Sequence, residues 1–244
     1  MNPELVLLAA GAMLGGFVQG VSGFAFGMVA MSVWVWGVEP LLAVQMAVFG
    51  GLVGQTLSAL TIRRGLHLSL LLPFLAGGVV GVPIGLWALP LLSPDLFKLV
   101  VGLILLVFCS TMLLSTRLPT IRRGGRLGDA IAGMLAGVIG GVGGFTGAVP
   151  ALWGTLRGYT KDAHRAVLQN FNLAALAAIF VGHLWSGAAT AAMAPKFGLV
   201  AVALVLPSML GARIYTGLSP AAFRRVVLGL LCVAGFAMVA SNLS

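Results

Sequence analysis

The sequence predicts an all-α, polytopic membrane protein made of two inverted-topology repeats, with eight to ten helical segments and Gly-broken, re-entrant or short helices opening each repeat. One observation is composition: of 244 residues, 60% are hydrophobic and 8% are charged, and the mean hydropathy is +1.11. Soluble domains carry about 25% charged residues. Another is the succession of long apolar runs, without the alternation typical of membrane β-barrels. Together they exclude soluble enzymes, nucleic-acid-binding modules and disulfide-stapled secreted domains.

Ten apolar runs follow one another, five on each side of a basic break. At about 20 residues per span, the apolar and glycine residues supply material for about nine spans. The break, RLPTIRRGGR at 117–126, carries four arginines and is expected to be a cytoplasmic linker. It separates an N-terminal transmembrane repeat, 1–116, from a C-terminal one, 127–244. The runs cover 3–20, 23–38, 41–62, 68–90, 95–116, 127–143, 144–156, 163–185, 190–212 and 220–242.

The two halves resemble each other in detail. Near the end of each half, SPDLFKLVVGL (93–103) matches SPAAFRRVVLGL (219–230). The beginnings also match, and two matches in the same order indicate an internal duplication. At one constant offset, Gly16, Gly20, Gly23 and Phe24 correspond to Gly137, Gly141, Gly144 and Phe145.

The basic residues predict the topology, because short cytoplasmic loops of membrane proteins are rich in Lys and Arg. If the basic loops are cytoplasmic, both termini and the loops at Glu39, Asp95 and Ala188 lie outside. Lys98 and Lys196 are then exceptions to the charge rule. Each half then has an odd number of elements, so the second half is inverted, as is typical of secondary transporters. The residues predicted to be cytoplasmic are Arg63, Arg64, the 117–126 linker, Arg157, Lys161, Arg165, Arg213, Arg224 and Arg225.

The first two runs of each half are too short and too rich in glycine for ordinary spans. Those of the first half give about 27 and 24 Å of helix, against a hydrocarbon core of about 30 Å. We expect the helices to break at Ser22-Gly23 and at Gly143-Gly144, where the backbone must be buried in protein or line a cavity. An opened helix end offers amide donors and a positive dipole to an anion. The alternative is that the glycines only allow close helix packing.

Polar side chains inside the spans are costly and therefore point to function. On the 163–185 helix, Arg165, Gln169, Asn172 and His183 fall within about 60° of one face, with Asn170 beside them. The alternative is that such groups only form hydrogen bonds between helices or cap them. The candidate substrate-binding residues are Gln19, Ser22, Gly23, Gln45, Gly143, Gly144, Thr146, Gln169, Asn170 and Asn172.

Several stretches of the sequence together resemble one known family. The paired glycine motifs, the His164-Arg165-Ala166-Val167 stretch and the ending LGARIYTGLSPAAFRRVVLGLL (210–231) resemble the TauE/SafE family of membrane permeases. The resemblance spans nearly the whole chain and is closer in the second half, at GVGGFTGAVP. It implies transport, commonly export, of small sulfur-containing anions such as sulfite or organosulfonates, coupled to the proton gradient.

A proton has few possible carriers in this chain. Because no acidic residue lies deep in a predicted span, a coupled proton travels on a histidine, on a carboxylate near a helix end or on the substrate itself. His183 is the candidate proton relay, since an imidazole titrates near neutral pH. The alternative is that His183 lies at the membrane interface and has no role in transport. Arg165 is expected at the cytoplasmic mouth, and the five tryptophans, near run ends, are expected in interfacial belts.

The sequence therefore predicts a secondary transporter of small sulfur-containing anions, multi-pass in the inner membrane. An uncoupled anion channel or facilitator of the same architecture is the alternative, and a membrane enzyme or assembly scaffold is a weaker one, because no nucleophile, base and orienting acid converge. No cofactor and no metal site are expected. The expected partners are the small anion, the lipid bilayer and, as an option, a second copy in a homodimer, but no nucleic acid.

Overall fold

The computed structural model describes residues 2–61, 65–114, 120–121, 124–214 and 220–243. Within these ranges the chain is all-helical, which confirms the predicted class, and it contains ten α-helices with two short 3₁₀ turns at Leu89–Leu91 and Ala191–Met193. The α-helices are α1 Pro3–Ser22, α2 Phe26–Trp34, α3 Pro40–Thr61, α4 Leu68–Ala88, α5 Pro94–Leu114, α6 Gly125–Gly143, α7 Ala148–Leu156, α8 Lys161–Trp185, α9 Ala194–Ile214 and α10 Pro220–Leu243. The predicted cytoplasmic residues Arg63, Arg64, Arg117, Arg122 and Arg123 lie outside the described residues.

Eight of the helices in the described ranges are long and apolar enough to cross a membrane. The exceptions are α2 and α7, which have nine residues each and extend for only about 14 Å. The sequence predicts longer segments there, 23–38 and 144–156, because apolar residues continue through the turns. α6 begins at Gly125, two positions before the predicted start, because the Gly128 N–H already donates to the Gly124 carbonyl.

The two short helices fold back on the helices before them. α2 returns along α1, with Phe26 and Ala30 packed on Gly15 and Trp34 packed on Gly11. α7 returns along α6 in the same way, with Trp153 packed on Gly128. Each pair is an antiparallel hairpin, so the chain leaves it at the end of the helix bundle where it entered.

The bundle accordingly has two ends. At the first, here called the Glu39 end, Lys196 forms an ion pair with Glu4 at 2.5 Å, and the Asn242 side chain donates to the Asp95 carbonyl at 2.7 Å. At the other, here called the linker end, the Ile121 N–H donates to the Leu156 carbonyl at 2.7 Å. The six helices outside the hairpins, α3, α4, α5, α8, α9 and α10, run alternately between these ends.

Glycines allow two helix pairs to pack closely. A Cβ on Gly16 of α1 would lie 2.7 Å from the Leu204 carbonyl oxygen of α9. A Cβ on Gly141 of α6 would lie 2.8 Å from the Gly85 Cα of α4. Close packing, which was the alternative to an anion site, therefore accounts for these two glycines. The other extensive contacts outside the hairpins are α5 with α10, α3 with α8, α4 with α8, α2 with α3 and α3 with α9.

Candidate anion site between two helix breaks

The short turn that joins α1 to α2 is here called the first break, and the turn between α6 and α7 the second. Gly23 follows α1 with a φ of 84°, a left-handed conformation that glycine adopts without strain. The Ser22 hydroxyl accepts from the N–H groups of Phe24 and Ala25, at 3.4 and 3.3 Å. Ser22 thus stabilises the turn before α2, and its side chain is exposed.

The second break lies between α6 and α7 and has the same geometry. Gly144 follows α6 with a φ of 76°, and its N–H donates to the Gly140 carbonyl at 2.7 Å. Gly143 belongs to the last turn of α6, where the Phe145 ring covers it. α7 begins four residues after Gly144, at Ala148.

The two breaks lie against each other in the interior. A Cβ on Gly27, in the first turn of α2, would be 2.7 Å from the Gly144 carbonyl oxygen. A Cβ on Gly147, just before α7, would be 2.9 Å from the Phe24 ring. The starts of α2 and α7 therefore meet, and each start carries N–H groups and the positive end of a helix dipole.

Side chains of α3 and α8 flank the breaks. The Gln55 amide donates to the Gly23 carbonyl at 2.6 Å. The Gln169 Nε2 atom is 3.5 Å from the position that a Cβ on Gly23 would take. At the second break, the Thr146 hydroxyl donates to the Asn172 side-chain oxygen. The structure thus brings Gln169, Thr146 and Asn172 to the breaks, all of them buried.

Two buried glutamines near the breaks have polar atoms without a partner. The Gln19 amide donates weakly to the Gly51 carbonyl, at 3.4 Å, while its Oε1 has no hydrogen-bond partner within the described ranges. Gln45 is fully buried, and neither atom of its amide has a partner among the residues that the structure describes. Unsatisfied buried polar groups are uncommon because they cost free energy. A polar ligand that formed hydrogen bonds with these amides would therefore be stabilised.

Three predicted site residues lie away from the breaks. The Asn170 amide donates to the carbonyls of Gly65 and Ala166, which ties α8 to the linker end. Arg165 is exposed at that same end. His183 lies at the Glu39 end of α8, where it is buried.

Gln55 is a site residue that the sequence analysis left out. In the sequence it lies off the face shared by Gln45 and Thr56. On α3 it lies seven residues after Val48, whose backbone nitrogen lies beside Gly144 together with the Ala47 Cβ. Seven residues are about 10 Å of helix, so α3 passes along both breaks. The sequence offers no signal for this, because tertiary packing sets the position of the breaks relative to α3.

Asp129 forms a buried polar cluster that sequence reasoning also missed. Its carboxylate, 2% exposed, accepts from Trp153 Nε1 at 2.8 Å and from the Tyr159 hydroxyl at 2.9 Å, and it lies 3.7 Å from Arg157 Nε. The sequence places Asp129 near a helix end, and only the return of α7 covers it. We call these four residues the Asp129 clasp, because they join α7 to the start of α6.

Trp34 closes the other hairpin in a similar way. Its indole N–H donates to the Leu7 carbonyl at 2.9 Å, and the side chain is fully buried. The prediction of an interfacial belt is therefore wrong for Trp34, because the hairpin places it inside the protein. Trp36, Trp87 and Trp185 are exposed, as that prediction requires.

The clasp perturbs Tyr159. Burial raises the pKa of the Tyr159 phenol, and the hydrogen bond to Asp129 raises it further, because both disfavour the phenolate. Tyr159 lies between α7 and α8, outside the helices that could span a membrane.

We expect Asp129→Asn to lower the free energy of unfolding by about 1–3 kcal/mol, since it leaves the donors of the clasp poorly paired. Unfolding of the purified protein in detergent measures this. The pKa of Tyr159 should also fall toward its usual value. Ultraviolet titration in a Tyr215→Phe background isolates that signal, because the chain has two tyrosines. An unchanged stability together with an unchanged Tyr159 titration would contradict the role given to the clasp.

One of three comparisons with known proteins gives a match. No curated protein and no solved structure gives a significant match. In the described part of the chain, no group of three or more His, Cys, Asp or Glu residues could hold a metal ion. The model of one protein family, described as sulfite exporter TauE/SafE, matches residues 7–238, which is nearly the entire chain. The chain therefore belongs to the TauE/SafE family of sulfite exporters.

Proposed function

We propose that this multi-pass membrane protein exports small sulfur-containing anions, such as sulfite or organosulfonates, across the inner membrane by secondary transport. The observation that carries the proposal is the meeting of two helix starts, those of α2 and α7, in the interior. Helix starts bind anions through free N–H groups and the helix dipole. Family membership supports the class of cargo.

The charge distribution suits transport rather than tight binding. The hairpin of α1 and α2 and the whole of α3 contain no Lys or Arg, and those of α8 lie in its first two turns. An anion at the breaks would be held by N–H dipoles and by amide and hydroxyl groups of Gln169, Asn172 and Thr146. Without a permanent opposite charge at that depth, the anion can leave as well as enter.

The helix packing supports two repeats of opposite topology. α1 packs on α9 and α6 packs on α4, so the first helix of each half packs on the fourth helix of the other. The breaks follow the same exchange: Gly23 lies against the Gln169 side chain of α8, and Gly144 lies against the Ala47 Cβ and the Val48 backbone of α3. Gly23 and Gly144 are 121 positions apart, as are Val48 and Gln169. Such a fold puts a shared site where the repeats meet.

The charges also support an orientation. In the described ranges, Lys98, Lys196, Glu4, Glu39 and Asp95 belong to the Glu39 end, where acidic residues outnumber basic ones. The linker end carries most of the arginines, including Arg126, Arg157, Arg165 and Arg213. The positive-inside rule makes the linker end cytoplasmic.

Cysteine labelling tests this orientation. In a background with Cys109→Ser and Cys232→Ser, an impermeant maleimide added to intact cells should label Leu91→Cys and not Arg165→Cys. Both positions are exposed, at opposite ends of the bundle. Permeabilised cells provide the control, in which both should react. Labelling of Arg165→Cys in intact cells would reverse the proposed orientation.

Flux in liposomes tests the function. Purified protein should exchange sulfite or an organosulfonate such as taurine or sulfoacetate across the bilayer, whereas protein-free liposomes should not. Uphill accumulation driven by a pH gradient would support proton coupling, and purely downhill flux would favour the uncoupled channel. Absence of flux for sulfite, sulfate, thiosulfate, taurine and sulfoacetate alike would refute the proposal.

Arg165→Gln is expected to raise the apparent KM for substrate presented at the linker end by roughly two- to fivefold, because one exposed charge contributes modestly to attraction. The maximal rate should stay the same. Lys98→Gln, at the Glu39 end, is the control and should leave this KM unchanged. High salt should remove the difference between Arg165→Gln and the unmodified protein. A KM that Arg165→Gln does not move would exclude Arg165 from the mouth of the path.

A further inference from the structure

A cavity of about 510 Å³ lies at the Glu39 end, between α3, α4 and α8. Its wall is formed mainly by apolar side chains, including Leu41, Pro83, Leu86 and Trp87. His183 is the residue with an ionisable side chain among those that line it. Such a volume would hold a sulfite or a small organosulfonate together with several water molecules.

His183 is poorly satisfied where it stands. Its side chain is 3% exposed, and the Nε2 atom has no hydrogen-bond partner among the described residues. A buried imidazole nitrogen without a partner costs free energy, so its retention within a membrane-spanning helix points to a role. The Ser186 hydroxyl, in the same wall, donates to the His183 carbonyl at 3.2 Å and not to the imidazole.

Gln45 is a second buried polar residue, and on α3 it lies between this cavity and the second break. It lies one turn along α3 from Leu41, which lines the cavity, so both residues are on one face of that helix. Both polar atoms of its buried amide lack partners in the described part of the chain. Three residues further along, Val48 lies against Gly144. The distance along α3 from the cavity to the second break is therefore about 10 Å.

We propose that this cavity is the outer subsite of the transport path, and that His183 Nε2–H and the Gln45 amide donate to the anion as it passes between the breaks and the Glu39 end. The ligand is the same class of small oxyanion that the proposed function assigns to the breaks, and the inference rests on that function. His183 acts here as a hydrogen-bond donor, which differs from the proton relay that the sequence alone suggests.

The experiment compares His183→Gln with His183→Leu in liposome flux of sulfite, presented separately at each end. Gln keeps an N–H donor but cannot titrate, so His183→Gln should stay within about threefold of the unmodified protein. His183→Leu should lower flux from the Glu39 end about tenfold or more and raise the KM at that end. His67→Leu, an exposed histidine just before α4 at the linker end, is the matched control and should retain full flux.

A second measurement does not depend on His183 variants folding. In the Cys109→Ser and Cys232→Ser background, an impermeant thiosulfonate should modify Leu41→Cys from the Glu39 end and block flux, and sulfite should slow the modification. Flux that survives both His183→Leu and modification of Leu41→Cys would overturn the subsite while leaving the proposed function intact. Equal losses in His183→Gln and His183→Leu would instead identify a titratable role and overturn the donor role. An unmodified protein without flux would refute the proposed function itself.

Discussion

Replacing Gly144 with valine is expected to abolish transport while the protein still inserts in the membrane. At a φ of 76° a side chain with a Cβ costs about 1–2 kcal/mol, and a β-branched one resists this conformation further. The Cβ would also lie 3.0 Å from that of Ala47. The start of α7 would then move away from the start of α2, and the convergence of helix dipoles would be lost.

Substitutions at Gly23 separate the effect of backbone conformation from the effect of steric crowding. Its φ is 84°, but the nearest atom to an added Cβ is Gln169 Nε2, at 3.5 Å. Gly23→Ala should therefore fold with a cost of about 1 kcal/mol and keep part of its flux, whereas Gly23→Val should lose it. Gly229→Val is the control, because a Cβ at Gly229 of α10 has open space around it. Liposome flux, with thermal unfolding to verify folding, measures all four variants. Normal flux in both Gly144→Val and Gly23→Val would end the proposal that the breaks form the site.

Asn172→Leu is expected to reduce the initial rate of transport roughly 30-fold or more. The substitution removes the acceptor of the Thr146 hydroxyl and a donor beside the second break. A polar group left unpaired in a buried site costs about 2 kcal/mol, and each 1.36 kcal/mol corresponds to about a tenfold change. The anion itself would also be underpaired.

Asn242→Leu is the matched control for Asn172→Leu. Asn242 donates to the Asp95 carbonyl at the Glu39 end, far along the chain and away from the breaks. It should lose little flux. Paired initial rates in liposomes, at equal amounts of folded protein, decide the matter. An unchanged rate for Asn172→Leu would mean that this face of α8 packs helices and does not line the path.

The sequence by itself determined the all-helical class, the range of eight to ten helical segments and the family. Hydropathy and glycine content are local properties of the sequence, so they can be recognised without knowing which residues contact one another. Gly23 and Gly144 stop α1 and α6 through access to positive φ, which belongs to glycine itself. The family resemblance lies in the same local motifs, and the match over 7–238 confirms it. That the two halves are inverted repeats opening with broken helices stays a prediction.

Only the tertiary structure decided which side chains meet. Gln55 reaches Gly23 across 32 positions of the chain, and Thr146 reaches Asn172 across 26, so neither pair follows from the periodicity of one helix. Trp34 and Asp129 look like residues near helix ends until α2 and α7 fold back and bury them. The reason is that hydrophobic burial determines which face of a helix points into the protein, but not which other helix packs on that face. The partner is chosen by the packing of glycine surfaces and by the hairpins, which act between distant parts of the chain.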